Sequence, residues 1–371
     1  MQQCDEMYMR RALELAALAA GRTSPNPLVG AVVVKDGVVV GEGYHHKAGT
    51  SHAEVHALNQ AGDHAQGATL YVTLEPCNHH GLTPPCTRAI IAAGIKRCVV
   101  AMEDPNPLVN GRGLTALAGA GIEIETGVLQ LEAEKQNEVF LKYICTGLPF
   151  VTLKTAMTLD GKIASHSGDS RWITSEPARQ RVHEMRDQAD AILVGIGTVL
   201  ADDPRLNTRL AYRQGRDPVR LIIDGGLDLP LNSQIASSSA EQKTLVFTAD
   251  SADPQKVRSL EDIGLEVITV DGARDDLNLE QVLQTAAHRK LSHILAEGGG
   301  AINASLLKYG LVDKIYWFIA PKIIGGAKAP SPVQGEGLEA MAEAIGIENV
   351  EVTLIGPDLL ISGYIKKPAY R

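Results

Sequence analysis

One imidazole, two thiols and a carboxylate stand at spacings that can hold and use a metal ion. Glu54 follows His52 by two residues, and Pro76-Cys77 and then Cys86 come later in the chain. Zinc favours such nitrogen and sulfur sets, and three protein ligands leave a fourth position for water. The ion lowers the pKa of that water to about 7, so hydroxide becomes available at neutral pH. Glu54 is placed to move protons without ligating the ion. The pattern points to hydrolysis assisted by one zinc per chain.

The order His-x-Glu then Pro-Cys…Cys is the signature of zinc-dependent base deaminases, where two residues separate the cysteines. Here Asn78-His79-His80-Gly81-Leu82-Thr83-Pro84-Pro85 intervene. Only the two sulfurs must converge, so a longer loop is compatible with a site and can line a pocket. A Cys77–Cys86 disulfide is an alternative, but it needs an oxidising compartment. A helical zinc site on His52 and His56 would need Glu directly after the first His, where Ala53 stands. Cys4, Cys98 and Cys145 read as small buried hydrophobes.

A second constellation lies in the C-terminal half. His293-Ile294-Leu295-Ala296-Glu297 runs into Gly298-Gly299-Gly300 and a helical pattern from Ala301. Strand, glycine turn and helix start make a phosphate cradle, because backbone N–H groups point outward. A tight turn without a ligand is the alternative. Another turn, Gly195-Ile196-Gly197-Thr198, precedes Asp202, Asp203, Arg205 and Arg209. Acids and arginines beside it suit a polar, phosphate-bearing ligand or a solvated loop.

These residues need two scaffolds. At 371 residues the chain exceeds what one core usually serves. No apolar run reaches the ~18–20 residues of a membrane helix. The start, Met1-Gln2-Gln3-Cys4-Asp5-Glu6, lacks the basic region of a signal peptide, so a cytoplasmic protein is expected. A net charge of −9 argues against a nucleic-acid face.

Periodicity predicts helices over Asp5–Ala20, His52–Ala61 and Gln130–Ile144, and from Cys86 to Gly94. It predicts a hairpin over Leu28–Gly43 around Asp36-Gly37 and strands over Thr69–Leu74, Arg97–Met102 and Ile122–Ile124. After a linker at Thr146–Pro149, strands are predicted at Phe150–Ala156, Ala191–Val194, Arg220–Ile223, Thr244–Phe247, Glu266–Val270, His293–Ala296 and Lys314–Ile319. Helices are predicted at Pro177–Gln188, Asn278–Lys290 and Ala301–Tyr309, with a closing hairpin over Val350–Ile355 and Leu359–Ile365. Alternation of strands and helices argues an α/β layered protein. The domain expectation is 1–147 and 148–371.

Taken together the chain resembles the bifunctional riboflavin-biosynthesis deaminase–reductase family over nearly its whole length. The segments that bear the resemblance are Thr23-Ser24-Pro25-Asn26-Pro27-Leu28-Val29-Gly30, His52-Ala53-Glu54, the Pro76-to-Cys86 stretch and Asp104-Pro105-Asn106-Pro107. In the second half they are Lys154 to Lys162, Ser170-Arg171-Trp172-Ile173-Thr174, Gly195 to Arg209 and Ala296 to Gly300. The long gap between cysteines looks like this family's own version.

The resemblance implies a cytidine-deaminase-like α/β/α domain followed by a dihydrofolate-reductase-like α/β domain. It implies zinc-dependent removal of the 2-amino group of a phosphorylated diaminopyrimidine, then NADPH-dependent reduction of its ribosyl part to ribityl. The implied roles are as follows. His52, Cys77 and Cys86 hold zinc and Glu54 shuttles protons; Asn26, His45, His79 and Thr83 contact the deaminase substrate. Ala156, Trp172, Thr198, Asp202, Gly299, Gly300, Ala301, Ile302, Asn303, Ala304 and Ser305 contact NADPH. Ser170, Arg186, Leu206, Arg209 and Glu297 contact the reductase substrate, with Arg186 and Arg209 suited to phosphate. Lys154 and Glu297 are candidates for proton management.

Many members carry lysine where Leu82 stands, so His80 or Lys47 is a candidate replacement. Trp172 in the core, Lys154 as a plain exposed lysine and His45 and His46 as surface residues are the bland alternatives. A homo-oligomer is expected. Rival functions are a nucleic-acid-editing deaminase, a regulatory zinc module, and a chain with one active half.

Overall fold

The apolar runs assemble into two separate sheets. The computed structural model describes residues 2–79, 84–106 and 109–366. The chain divides into two compact units, Met1–Leu148 and Pro149–Arg371.

The first unit runs α1 (Gln2–Ala17), β1 (Gly30–Lys35), β2 (Val38–Tyr44), α2 (Ala53–Ala61), β3 (Thr69–Leu74), α3 (Cys86–Ala92), β4 (Arg97–Met102), α4 (Arg112–Gly119), β5 (Glu123–Thr126), α5 (Gln130–Gln136) and α6 (Glu138–Thr146). Its sheet has the order β2-β1-β3-β4-β5. The β1–β2 hairpin turns through Asp36 and Gly37, at φ of 51° and 78°, as a two-residue turn of the primed type requires. Central strands β3 and β4 are parallel and almost wholly buried, which is why they read as unbroken apolar runs. A Cβ on Gly43 would sit 2.5 Å from the Ala53 carbonyl oxygen. The glycine thus lets the start of α2, next to His52 and Glu54, press directly on β2.

The expected helix over Gln130–Ile144 is two helices. Asn137 breaks it, at φ −103° and ψ 16°. Its amide accepts the Leu28 N–H at 2.8 Å and donates to the Leu28 carbonyl at 3.0 Å. A short polar side chain that bonds distant backbone competes with helix continuation. Helix α1 stops at Ala17, short of the expected Ala20.

The second unit runs β6 (Phe150–Thr158), α7 (Glu176–Gln188), β7 (Ala191–Gly195), α8 (Ile196–Asp202), β8 (Val219–Ile223), α9 (Gln234–Ser237), β9 (Thr244–Ala249), α10 (Pro254–Glu261), β10 (Glu266–Val270), β11 (Gly272–Ala273), β12 (Asp276–Leu277), α11 (Leu279–His288), β13 (His293–Ala296), α12 (Gly300–Lys308), β14 (Lys314–Ala320), β15 (Ile347–Ile355) and β16 (Asp358–Ile365). The large sheet has the order β10-β9-β8-β7-β13-β6-β14-β16-β15. All strands from β10 to β14 in that order are parallel, and β16 and β15 add antiparallel. Alternate residues of the central strands feed two cores: Leu193, Leu221 and Leu245 on one face, Ile192, Ile222 and Val246 on the other. The C-terminal ends of β6, β7 and β13 therefore share one edge, where open α/β sheets place ligands.

Several expectations need correction. Ile196 to Thr198 open helix α8 rather than forming a turn. Helix α10 was not foreseen, although Asp253 caps it through the Gln255 N–H at 2.8 Å and Pro254 starts it. Cys4 and Cys145 are exposed, so only Cys98 behaves as a core hydrophobe. Trp172 is 61% exposed and is not core. Among the described residues no helix is long and apolar enough to cross a membrane.

Candidate active sites

His52 is the N-cap of α2 and Cys86 is the first residue of α3. Cys77 lies in the segment that follows β3. His52 Nδ1 is 3.2 Å from Cys86 Sγ and 3.5 Å from Cys77 Sγ. The three donor atoms lie within 4.8 Å of one another. Both cysteines are free thiols, so the disulfide alternative fails. His56 stacks on His46, ring centroids 4.5 Å apart, outside this cluster. The Cys77 thiol is pulled down to about 4 by hydrogen bonds from Cys86 and His52, while its coupled partner Cys86 is pushed up. A zinc ion held by His52, Cys77 and Cys86 would keep both sulfurs as thiolates, because a coordinated thiol is deprotonated.

Glu54 is 3% exposed and its Oε2 has no partner among the described residues. Burial pushes its carboxyl above the usual range. A buried orphaned oxygen beside a nitrogen and two sulfurs fits a zinc-held water that the acid would contact.

Around the ligands, His45 is buried rather than on the surface, at 2% exposure. Its Nε2 pairs with Asn26 Nδ2 at 3.1 Å and its Nδ1 with the Ser51 carbonyl at 3.2 Å. Asn26 donates and the carbonyl accepts, so the ring carries its proton on Nδ1. Burial holds its pKa down. His45 meets the edge of His52, centroids 5.4 Å apart. His79, two residues after Cys77, is exposed. Thr83, Leu82 and His80 lie outside the described residues.

Two acids escaped the sequence reading as parts of this site. Glu75, 3% exposed, accepts the N–H groups of Gly111 and Gly113 at 2.9 and 2.8 Å, fixing the start of α4 against the Pro76-Cys77 segment. Burial pushes Asp104 up to about 6, within electrostatic reach of Cys77 and His79.

In the second unit, Glu297 follows β13 and is 7% exposed at its side chain. Arg186 grips it from α7, Nε to Oε1 at 2.6 Å and Nη2 to Oε2 at 3.0 Å; Lys154 Nζ on β6 lies 3.3 Å from Oε2. Burial works against the charge, but Arg186 and Lys154 outweigh it and hold Glu297 at about 2. Lys154 is thus a paired, half-buried lysine, 16% exposed. His183, one turn before Arg186 and so on the same face of α7, meets Arg209. It carries no motif, and only that helical spacing signals it.

The remaining expected residues gather near the same edge. A Cβ on Gly299, the N-cap of α12, would meet Thr198 Oγ1 at 3.2 Å. One on Gly300 would lie 2.6 Å from the Ser331 carbonyl oxygen. Glycine is therefore required at Gly300, and the first turn through Ala301 offers backbone N–H groups for phosphate. Ile302 packs its side chain beneath Gly195 and Gly298. Asn303 is buried and donates to the Pro332 carbonyl at 2.8 Å; its Oδ1 is orphaned. Ala304 and Ser305 are half-buried farther along α12. Ser170 Oγ donates to Asp202 Oδ1 at 2.9 Å. Ala156 packs on the Val182 and Met185 cluster, and exposed Trp172 lies under the Arg179 guanidinium at 4.6 Å. Leu206 is buried in a core cluster and its carbonyl accepts from Gln242 Nε2 at 3.2 Å, which leaves its backbone N–H to meet a ligand. An exposed helix start with glycine at its closest approach fits the pyrophosphate of a dinucleotide.

The family model for the cytidine and deoxycytidylate deaminase zinc-binding region matches residues 2–102, and that for the RibD C-terminal domain matches residues 149–361. The riboflavin biosynthesis protein RibD of Bacillus amyloliquefaciens is 46% identical over 98% of this chain and 96% of its own length. The chain belongs to the RibD family. The RibD of Escherichia coli is 43% identical over 96% of this chain and 98% of its own. The structure of RibD from Acinetobacter baumannii superposes with a TM-score of 0.89 at 38% identity, covering 99% of this chain and 100% of that one. A Thermotoga maritima structure gives 0.85 at 39% identity over 98% and 99%; it is described as a diaminohydroxyphosphoribosylaminopyrimidine deaminase/5-amino-6-(5-phosphoribosylamino)uracil reductase. A RibD protein is a bifunctional enzyme of riboflavin biosynthesis, and this chain has its cytidine-deaminase-like and dihydrofolate-reductase-like parts, a zinc-dependent deaminase and an NADPH-dependent reductase.

Proposed function

We propose that residues 1–147 remove the 2-amino group of 2,5-diamino-6-(5-phosphoribosylamino)pyrimidin-4(3H)-one. Residues 148–371 then reduce the ribosyl group of the product to a ribityl chain. The observation that carries this reading is the convergence of His52, Cys77 and Cys86 beside the unpartnered Glu54 Oε2, in one chain with the Lys154–Glu297–Arg186 group.

Zinc held by those three ligands supplies an activated water for the carbon that bears the amine. Glu54 accepts a first proton from that water and passes it to the ring nitrogen, then accepts the proton left on the added hydroxyl and passes it to the departing amine, which leaves as ammonia. Its raised proton affinity suits that task. Asn26 and His79, with Thr83, contact the pyrimidine. His45, spent in bonds to Asn26 and Ser51, holds Asn26 and backs His52.

NADPH supplies the hydride in the second half. Hydride addition at the ribose C1′ needs one proton for the oxygen released from the ring. Lys154 has a proton to give, whereas Glu297, ionised at about 2, orients it. The α12 start with Thr198, Asp202, Ala156 and Trp172 receives the cofactor; Ser170, Arg209 and the Leu206 backbone face the substrate.

The chain works as a homo-oligomer; support comes from edge strand β15, which exposes Val350, Val352 and Leu354. It works in the cytoplasm; support comes from thiol ligands, which need a reducing compartment. A relative from Arabidopsis thaliana, 38% identical, is described as chloroplastic.

The test supplies the diamino substrate and follows ammonia, then NADPH consumption. Glu54→Gln abolishes ammonia release and spares reduction of supplied deaminated substrate. Loss of both activities together, or of neither, overturns the division of labour.

A further inference from the structure

Arg186 cannot by itself hold an anion, because its guanidinium is occupied. Nε and Nη2 grip Glu297, and Nη1 donates to the Asn207 carbonyl at 3.0 Å. Arg209 has no carboxylate partner among the described residues. What faces it is His183. The Arg209 backbone N–H donates to His183 Nδ1 at 3.3 Å, and Arg209 Nη2 lies 3.5 Å from His183 Nε2.

A neutral imidazole has one acceptor nitrogen and one N–H. With Nδ1 accepting from the Arg209 amide, Nε2 carries the hydrogen. An imidazole N–H and a guanidinium N–H then converge at 3.5 Å, donor against donor. The other tautomer only moves the conflict, since Nδ1–H would then face the amide N–H. Burial, with Arg186 and Arg209 close by, holds the ring's pKa down to about 4, so it stays neutral. Two converging donors are satisfied by an acceptor oxygen between them. Charge agrees: Lys154, Arg186 and Arg209 stand against the single carboxylate of Glu297. That excess of two positive charges suits a dianion.

We propose that His183 is a phosphate-recognition residue of the reductase half: its Nε2–H and the Arg209 guanidinium form a two-donor clamp for the substrate's ribose phosphate. This rests on the reading above, which puts the substrate at Arg209. Nδ1 locks the ring to the Arg209 backbone, so the two donors move as one.

Steady-state reduction is measured with the phosphorylated deaminated substrate and with its dephosphorylated form, for the wild type, His183→Phe, His183→Asn and Arg209→Ala. His183→Phe keeps a ring and removes both nitrogens; His183→Asn returns a donor amide. The expected result is a KM for the phosphorylated form raised about tenfold in His183→Phe, equal to one lost interaction of about 1.4 kcal/mol. Its kcat, its KM for NADPH and its KM for the dephosphorylated form stay unchanged, and His183→Asn recovers part of the loss. Inorganic phosphate inhibits the wild type competitively and His183→Phe less.

If Arg209→Ala leaves the KM of the phosphorylated form unchanged, the phosphate is elsewhere and the underlying reading fails with the proposal. If Arg209→Ala raises it and His183→Phe does not, only the proposal fails. A rise for both substrates alike makes His183 a structural support and also overturns the clamp. Should His183→Phe not fold, nitrogen NMR of the wild-type imidazoles decides: inorganic phosphate must shift the His183 Nε2 resonance, and no shift at saturation sinks the proposal.

Discussion

Arg186 and Glu297 meet through two parallel bonds, Nε to Oε1 at 2.6 Å and Nη2 to Oε2 at 3.0 Å, and Lys154 approaches Oε2 from 3.3 Å. One buried carboxylate thereby anchors two cations from different elements, α7 and β6. Removing a single member of such a group leaves buried charge without a counterion, which costs about 3–5 kcal/mol. Glu297→Gln is therefore expected to lower the melting temperature of the second unit by several degrees. Its reductase kcat/KM should fall by about a hundredfold or more, the scale of a lost proton-transfer arrangement. Ammonia release by the first unit should be unaffected.

The same carboxylate predicts an acid limb of stability. Its folded pKa, about 2, lies below its ordinary 4.5. The unfolded chain thus binds more protons between those values, and stability falls as pH falls through that window. Above about 4.5 the contribution is fully present. Thermal unfolding of the wild type between pH 5 and 2.5 should show this loss, and Glu297→Gln should show less of it. Equal slopes would mean that Glu297 is not held by its two cations.

The zinc ligands were legible because a histidine and a cysteine at the starts of two helices, with a second cysteine just after a strand, have few other uses, and β3, which leads to Cys77, is an apolar run. Other features depend on partners far along the chain. Asn137 stops a helix because Leu28 offers a backbone N–H and carbonyl, and nothing local announces that. Glu75 stands beside Pro76-Cys77, yet its work is on Gly111 and Gly113. Arg186 reads as a phosphate ligand in sequence, where Glu297 as a competing partner is invisible. His183 has no motif, and its meaning comes from the chain folding Arg209 against it.

The metal should be removable without harm to the second chemistry. Chelation, or Cys86→Ser, strips the site of an ion or a ligand within the 4.8 Å cluster. Deamination is then expected to fall to background, while NADPH oxidation on supplied deaminated substrate persists. Metal analysis should read about one zinc per chain before treatment. Glu54→Gln should keep that zinc, since Glu54 is not a ligand. Zinc loss in Glu54→Gln would place the carboxylate in the coordination shell instead.

Gly113 offers a purely steric test of how the first site is held. A Cβ there would lie 2.0 Å from the Pro76 carbonyl oxygen and 3.1 Å from Glu75 Oε1. The backbone next to a zinc ligand would have to shift. Gly113→Ala is expected to destabilise the first unit by about 1–3 kcal/mol, the range for overpacking, and to weaken zinc retention during dialysis against a chelator. Gly119→Ala, whose Cβ meets nothing within 4 Å, is the control and should change neither. Equal zinc retention in both variants would show that the Pro76-Cys77 segment is not set by this contact.

His183 predicts a second, separate pH limb. Its folded pKa, about 4, lies below the ordinary 6.5, because burial and the cations Arg186, Arg209 and Lys154 oppose protonation more than Glu297 favours it. Between those values the unfolded chain binds more protons, so stability is full above about 6.5 and declines as pH falls toward 4. Glu297 contributes only below about 4.5, which leaves the upper part of the window to His183 within this cluster. His45, whose pKa is also held down by burial, acts in the same direction in the first unit but is present in every reductase variant. The difference between wild type and His183→Asn therefore isolates the effect. Calorimetry of the NADPH-sensitive transition from pH 7.5 to 4.5 should give a shallower decline for His183→Asn. Parallel curves would mean that the imidazole titrates as freely in the folded protein as in the unfolded chain, and its hydrogen bond to the Arg209 amide would then be too weak to hold the clamp.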